Sequence, residues 1–223
     1  MCDISLIMGS SFILAGPSSC GKSSFLKNLI KCRNIMFDRN IKNVYIVCSN
    51  VQNIYENLVK SKDVKKIFHQ MPSEDEILEI AKIEKVRGGT ILVLDDVMPE
   101  IEKSKDLIQK LFTELAHHQD MSVFLCVQNL FYNNGTFRTL SRNAAYLIPF
   151  KSPRDTRQIN FLAYQSYAQN PQLVIDAYND ATNHAYCYLL MDFTQETPDF
   201  LRLRAKIFPW QIDNESPIVY LPN

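Results

Sequence analysis

The chain has 223 residues, with 24 Lys and Arg against 24 Asp and Glu, and therefore a formal net charge of zero. With 46% hydrophobic and 22% charged residues, the composition is that of a globular protein and excludes disordered, collagen-like and coiled-coil chains. The balanced charge excludes a protein that works mainly as a basic surface, so any contact with nucleic acid has to come from a local patch or from symmetry.

The predicted elements alternate between buried strands and amphipathic helices. In chain order they are a strand at 12–15, a helix at 22–31, a strand at 44–48, a helix from 73 to the Gly88-Gly89 pair, a strand at 91–94, a helix at 105–118, strands at 123–127 and 145–150, helices at 156–167 and 173–182, and extended segments at 186–193 and 201–208. Ser73 and Glu76 have the spacing of a helix capping box. Strands that are continuous apolar runs are buried on both faces, which predicts a mostly parallel sheet with helices on both faces. We expect one α/β domain over 1–223.

Membrane and secretory signals are not evident in the sequence. The longest uninterrupted apolar run, 185–191, is far shorter than the roughly 20 residues that span a bilayer. The early Asp3 and the interruption at 9–11 are not typical of a signal peptide. The 6 cysteines include no Cys-x-x-Cys pair, which indicates small core residues in a reducing compartment. We therefore expect an intracellular protein without a membrane span.

A glycine-rich segment joins the first predicted strand to the first predicted helix. Its residues fit the pattern Gly-x-x-x-x-Gly-Lys-Ser/Thr of a phosphate-binding loop, and they are Gly16, Pro17, Ser18, Ser19, Cys20, Gly21, Lys22 and Ser23. Glycines let backbone N–H groups turn towards phosphate oxygens, and the helix N-terminus adds its positive dipole end. We expect this loop with the adjoining Ser24 to hold a triphosphate, Lys22 to contact its β- and γ-phosphates, and Ser23 to ligate Mg²⁺. The competing interpretation is a glycine-rich turn that happens to precede a helix.

Two acids end the strand predicted at 91–94. Asp95 and Asp96 follow an apolar run, as in a Walker B element, where Asp95 would hold Mg²⁺ and its hydration shell. Asp96 is then placed to orient or deprotonate an attacking water. Without the phosphate-binding loop, the same pair could equally be a polar strand end that caps the next loop.

Polar residues in the next part of the chain are candidates for sensing or stabilising a γ-phosphate. Gln128 ends the following strand, and its amide can bond both a phosphate oxygen and water; the alternative is that it merely starts a loop. Arg138 and Arg142 lie in the next connection and Arg154 lies past the fifth strand. Each arginine could be a finger that enters a neighbour's site, although a solvated surface role is equally compatible with the pattern.

Short basic clusters occur at 60–66, 151–157 and 202–206. Because each is mixed with acids or apolar residues, a solvated face is the default interpretation. In a ring of identical subunits, one such loop would line a pore and grip a phosphate backbone.

The phosphate-binding loop, the strand ending in Asp95 and Asp96, and the strand ending in Gln128 together resemble the FtsK/HerA superfamily, the additional-strand (RecA/FtsK-like) P-loop NTPases. More specific stretches resemble the genome-packaging ATPases of the poxvirus type, especially those of Polinton/Maverick and adintovirus-like elements; they read QNLF at 128–131, RTLSRN at 138–143, FKSPRD at 150–155 and LRLRAKIF at 201–208. The resemblance extends over 12–208.

This resemblance implies ATP- and Mg²⁺-dependent translocation of double-stranded DNA into a capsid by a homo-oligomeric ring, commonly a hexamer, that acts with capsid or portal proteins. It implies Lys22, Asp96, Gln128 and Arg138 as catalytic residues, with Arg138 as the finger in trans, and Ser23 and Asp95 as metal contacts. The host compartment would be a virus factory, the cytoplasm or the nucleus, with association to the virion as a further expectation. Asp96 departs from the family pattern, because cellular members usually have Glu there. Since the net charge is zero, we expect weak, salt-sensitive DNA binding through the pore of the assembled, ATP-bound ring.

Three other functions are compatible with part of this pattern. A small nucleoside or nucleotide kinase would use Arg138, Arg142, Arg154 and Arg157 as a phosphate-gripping lid. A GTPase is disfavoured, because the Asn-Lys-x-Asp guanine motif does not occur in the sequence. A nucleotide-bound scaffold subunit without turnover is the non-enzymatic alternative.

Overall fold

In the computed structural model, residues 4–85, 88–97, 103–129, 135–154, 157–211 and 217–222 are described, without the side chains of 85, 136–138 and 211. The helices are α1 (Lys22–Met36), α2 (Asn53–Lys60), α3 (Glu74–Lys85), α4, α5 (Gly135–Asn143), α6 (Arg157–Ser166) and α7 (Pro171–Ala181). The helix α4 has three consecutive segments, which are α-helical Lys105–Lys110, π-helical Leu111–Leu115 and α-helical Ala116–His118. Short 3₁₀ turns occur at Asp199–Leu201 and Pro209–Gln211.

The strands form one sheet. They are β1 (Ser11–Ala15), β2 (Ile41–Cys48), β3 (Lys66–Phe68), β4 (Gly89–Asp95), β5 (Met121–Val127), β6 (Tyr146–Pro149), β7 (Leu190–Asp192), β8 (Leu203–Ala205) and β9 (Ile218–Val219). Their order across the sheet is β3-β2-β4-β5-β1-β6-β7-β8-β9. Strands β1 to β6 pair in parallel, and β7 to β9 add an antiparallel edge beyond β6.

Alternate strand residues pack against different layers of helices, because successive side chains in a strand point to opposite faces. On one face, Leu14 and Val93 belong to a core that includes apolar residues of α1 and α2. On the other face, Ile13 and Leu94 belong to a core that includes apolar residues of α3, α4, α6 and α7. This arrangement confirms the predicted α/β fold, a mostly parallel sheet with helices on both faces.

Most predicted elements are present, and four short elements were not predicted. The capping box at the start of α3 is confirmed. The Glu76 carboxylate accepts a hydrogen bond from the Ser73 backbone N–H (2.9 Å), and the Glu76 backbone N–H donates one to the Ser73 hydroxyl (3.3 Å). The unpredicted elements are α2, β3, α5 and β9. None of the described helices combines the length and apolar character that crossing a bilayer requires.

A buried ion pair holds the antiparallel edge against the rest of the sheet. Asp192 on β7 and Arg204 on β8 are 0% and 2% exposed, and a guanidinium nitrogen lies 2.5 Å from a carboxylate oxygen. The same carboxylate accepts hydrogen bonds from the Thr194 hydroxyl (2.7 Å) and the Thr197 hydroxyl (2.9 Å). Arg204 also donates to the carbonyl of Ile4 at 2.8 Å, so this network joins the segment before β1 to β8.

We predict that Asp192→Asn destabilises the fold by about 3–5 kcal/mol, because it leaves the Arg204 charge buried without a counter-ion. The free energy of unfolding measured by urea denaturation tests this. Asp199→Asn is the matched control, since Asp199 also bonds an arginine, Arg202, but its side chain is 96% exposed. Equal losses of stability in the two variants would contradict the prediction.

Candidate functional site

The carboxyl ends of β1, β4 and β5 meet at one edge of the sheet, where they border a cavity of about 600 Å³. These strands are parallel, so the residues that follow each of them lie side by side. The lining residues are Ser18, Ser19, Gly21, Lys22, Ser23, Ser24, Gln52, Asn53, Ile54, Asp95, Asp96, Cys126, Val127, Gln128 and Tyr186.

The loop between β1 and α1 has a backbone that requires its glycines. Gly21, immediately before α1, has a φ of 111°, in the left-handed region that glycine adopts without a steric penalty. At Gly16 a β-carbon would lie 2.9 Å from Cβ of Phe150, too close for any other residue. The loop is thus held tightly around the N-terminus of α1, whose free N–H groups and dipole favour an anion.

The ammonium group of Lys22 lies over this loop. Its Nζ donates hydrogen bonds to the carbonyl oxygens of Gly16 (2.5 Å) and Pro17 (3.0 Å). Since Lys22 also lines the cavity, its charge is available to an anion that lies on the loop.

A row of side chains crosses the sheet at the carboxyl ends of β2, β4 and β5. The strand register pairs Asp95 with Cys48 on β2 and with Cys126 on β5, and all three lie on the α1–α2 face. The Asp95 carboxylate is only 6% exposed. Its Oδ2 accepts a hydrogen bond from the Tyr55 hydroxyl at 2.5 Å and one from the Gln52 amide at 3.4 Å. The first turn of α2 and the residue before it therefore orient the acid.

Asp96 comes directly after Asp95 and is exposed. Its φ is 56°, a left-handed conformation that is uncommon outside glycine but that Asp tolerates. In an extended strand consecutive side chains point to opposite faces, yet both carboxylates line the same cavity. The turn at Asp96 thus brings two acids to one site.

Burial keeps two thiols and one phenol around Asp95 neutral. Burial raises the pKa of the Cys48 thiol to about 11, with Asp95 and Asp96 adding to the effect. It also raises the pKa of the Cys126 thiol and of the Tyr55 phenol, which Asp95 reinforces. Tyr55 therefore remains a hydrogen-bond donor at neutral pH, and these two thiols are not nucleophiles there.

The structure brings together most of the residues predicted from sequence. Six residues of the 16–24 segment line the cavity, whereas Gly16, Pro17 and Cys20 lie behind it, where Cys20 is buried. Asp95, Asp96 and Gln128 join them from β4 and β5.

Of the three candidate arginines, the two whose side chains are described do not line this cavity. Arg142 lines a separate cavity of about 200 Å³ beside β6 and α6, and Arg154 is exposed after β6. The side chain of Arg138 lies outside the described residues, although its backbone belongs to α5.

Sequence reasoning missed Gln52, Tyr55 and Tyr186. Gln52 immediately precedes α2 and Tyr55 lies in its first turn; Tyr55 and Leu58 of this helix are buried. Apolar residues at positions 54, 55, 58 and 59 carry a helical period, but over a segment shorter than predicted helices usually are. Tyr186 shows no sequence signal, because only the packing of its loop beside Gly21 brings it to the cavity.

Some residues of the basic clusters form ion pairs, whereas Lys60, Lys62 and Lys66 are exposed as in a solvated face. Arg204 is buried against Asp192, Arg202 bonds Asp199 at 2.8 Å, and Lys65 pairs with Glu84. The default interpretation is therefore wrong for the 202–206 cluster, in which the arginines hold the antiparallel edge together.

These features define the class of fold. The strand β1 that leads into the phosphate-binding loop and the strand β4 that ends in the two acids are separated in the sheet by β5. This inserted strand is the one that the additional-strand P-loop NTPases are named for, and the chain has the α/β P-loop NTPase fold that its sequence predicted.

Known structures share this fold at low sequence identity. The DNA-packaging ATPase B204 from Sulfolobus turreted icosahedral virus aligns with a TM-score of 0.55 and 12% identity, over 85% of this chain and 95% of that one. The genome-packaging NTPase B204 from Sulfolobus turreted icosahedral virus 2, in complex with ATP-gammaS, gives 0.52 and 16% over 85% and 95%. A KaiC-like protein from Pyrococcus horikoshii gives 0.52 and 14% over 96% and 91%. No protein-family model and no curated protein matches the chain. Identities this low establish the fold and not the activity.

We predict that Tyr55→Phe destabilises the protein by about 1–3 kcal/mol, because a buried carboxylate loses its closest hydrogen-bond donor. Urea denaturation of the variant measures the loss. Tyr164→Phe is the matched control, since Tyr164 is 64% exposed on α6 and should tolerate the change. A Tyr55→Phe variant as stable as this control would show that the hydrogen bond to Asp95 contributes nothing.

Proposed function

We propose that the chain is a Mg²⁺-dependent ATPase that translocates double-stranded DNA into the capsid of a virus or virus-like element. The observation that carries the ATPase part is the convergence of Lys22, Asp95, Asp96 and Gln128 on the cavity that the phosphate-binding loop borders. At about 600 Å³ the cavity lies within the usual 300–1,000 Å³ of a small-molecule site.

The donor set fits Mg²⁺ and a triphosphate. The Ser23 hydroxyl and the Asp95 carboxylate are hard oxygen ligands of the kind that Mg²⁺ takes, directly or through its waters. When bound, Mg²⁺ would supply neutralisation of phosphate charge. The loop N–H groups and the Lys22 ammonium would bind the remaining phosphate oxygens.

The chain's own residues then have distinct roles in hydrolysis. Lys22 exchanges its bonds to the Gly16 and Pro17 carbonyls for bonds to phosphate. Asp96, exposed to the cavity, accepts the proton of the attacking water, and the Gln128 amide orients that water. The Tyr55 hydroxyl fixes the position of the Asp95 carboxylate by donating a hydrogen bond to it.

A ring of identical subunits would complete the site. Among the described residues that line the cavity, Lys22 is the only Lys or Arg, and phosphoryl transfer is commonly assisted by an arginine supplied from a neighbour. Arg138 is our candidate for that finger, with Arg142 and Arg154 as alternatives that do not line the cavity of their own subunit. An activity that depends on a neighbour's arginine couples hydrolysis to assembly.

The packaging part of the proposal is supported by the sequence resemblance and by the end-to-end likeness in fold to B204, of which 95% is covered. We further propose that the ring binds DNA weakly in its pore and acts with capsid or portal proteins. Its location would be the reducing interior of a host cell, in a virus factory, the cytoplasm or the nucleus, with association to the virion.

We predict that the protein hydrolyses ATP with Mg²⁺ and that Lys22→Ala lowers the rate at least about 100-fold, as the loss of a group that stabilises transition-state charge does. Asp96→Asn should lower the rate about 100-fold or more while ATP still binds. Phosphate release and calorimetric titration with ATP measure the two effects. The matched control is Lys31→Ala, an exposed lysine on the same helix. Phosphate release unchanged in Lys22→Ala, or transfer of phosphate to a nucleoside acceptor, would refute the ATPase proposal.

We predict that long duplex DNA raises the hydrolysis rate and that native mass measurement with ATP finds a closed ring. A monomer whose hydrolysis rate does not respond to DNA would contradict the motor.

Mixing inactive Lys22→Ala and Arg138→Ala subunits should restore part of the activity, because some interfaces then combine an intact lysine with an intact arginine. Failure of the mixture alone would exclude Arg138 as the finger and leave Arg142→Ala and Arg154→Ala for the same test.

A further inference from the structure

One aromatic side chain lies at the rim of the cavity and has no part in the hydrolysis described above. Tyr186 is 70% exposed, lines the cavity, and is the only aromatic residue among the described residues that do so. It contacts the phosphate-binding loop so closely that a β-carbon at Gly21 would lie 3.3 Å from Cβ of Tyr186.

The backbone at Tyr186 is held in an unfavourable conformation. Its φ is 64°, and a bulky residue in the left-handed region is an outlier that persists only where the surroundings impose it. Lys151 imposes it from the end of β6, because its backbone N–H donates to the Cys187 carbonyl (3.0 Å) and its Nζ donates to the Asn183 carbonyl (2.8 Å). An exposed ring on an anchored, strained loop points to a role for the ring itself.

The order of the strands determines which end of a nucleotide meets Tyr186. Asp95, Asp96 and Gln128 follow β4 and β5, on one side of β1, and this is the side on which the γ-phosphate would be hydrolysed. Tyr186 precedes β7 and its loop is bonded to the end of β6, on the other side of β1. A nucleotide whose phosphates lie on the loop therefore places its nucleoside towards Tyr186.

We propose that Tyr186 is the nucleobase-binding residue of this site and stacks its ring on the base. This assignment rests on the proposed ATPase function and adds the substrate class. The serines of the phosphate-binding segment that line the cavity, Ser18, Ser19 and Ser24, offer small hydroxyls rather than the amide or carboxylate groups that distinguish base edges. Stacking is tolerant of sequence because every base has a π-face. The site should accordingly accept nucleoside triphosphates with little discrimination between bases, ATP and GTP alike.

Calorimetric titration of the full chain with Mg²⁺ and each of three probes, ATP, GTP and inorganic tripolyphosphate, tests the assignment. Tyr186→Ala should weaken ATP and GTP binding about 5- to 100-fold, the usual effect of removing a stacked aromatic, and leave tripolyphosphate binding unchanged. Tyr186→Phe should keep the affinity of the unaltered protein for all three probes. Tyr186→Asn, which tolerates a left-handed backbone, should behave as Tyr186→Ala and separates loss of the ring from backbone strain. Tyr164→Ala, an exposed tyrosine on α6, is the matched control.

The outcomes separate the two proposals. If Tyr186→Ala binds ATP as tightly as the unaltered protein, or loses tripolyphosphate to the same extent as ATP, the stacking role is overturned and the ATPase stands. A wild-type affinity for ATP at least about 100-fold above that for GTP would also overturn it, because such discrimination requires base-edge hydrogen bonds. If the unaltered protein binds neither ATP nor tripolyphosphate, the proposed function fails and the assignment fails with it.

Discussion

The hydrogen bond from Tyr55 to Asp95 connects the helix layer to the strand ends, and the site depends on it. A carboxylate that is 6% exposed is costly to bury unless donors surround it. Tyr55 in α2 and Gln52 immediately before it provide that compensation. Because these residues and Asp95 come from separate parts of the chain, the hydrogen bonds around the carboxylate form only when the sheet and α2 have assembled. Formation of the fold and formation of the site are thus one event.

A second constraint is the tight turn at each strand end. Gly21 before α1 and Asp96 after β4 both have positive φ, and in each case the turn aims polar groups into the cavity instead of along the strand. Lys22 then lies between carbonyl oxygens that a phosphate can replace. The backbone thus holds the site in a conformation that already suits an anion. Groups preorganised in this way stabilise developing charge without having to rearrange during the reaction.

The distribution of cations bears on how such a protein would grip DNA. Several basic residues serve the fold itself, among them Arg204 in its buried pair, Lys65 with Glu84 and Lys151 on the Asn183 carbonyl. With a net charge of zero, a single subunit offers little attraction to a phosphate backbone. Repetition of a few exposed lysines around a pore would multiply that attraction. In the proposed ring, symmetry would therefore provide the local positive charge that the net charge of one subunit does not.

The amino-acid sequence by itself determined the α/β class, the phosphate-binding loop with Lys22 and the acids Asp95 and Asp96, because each is encoded by neighbouring residues whose pattern has a local physical cause. The short helix α2 and the left-handed turn at Asp96 were not evident, since packing against the sheet stabilises them more than their own residues do. Tyr55 and Tyr186 reach the cavity from distant positions in the chain. Only the tertiary structure decided their places, because strand order and the anchoring of the 182–188 loop to β6 arise from long-range hydrogen bonds that no local pattern records.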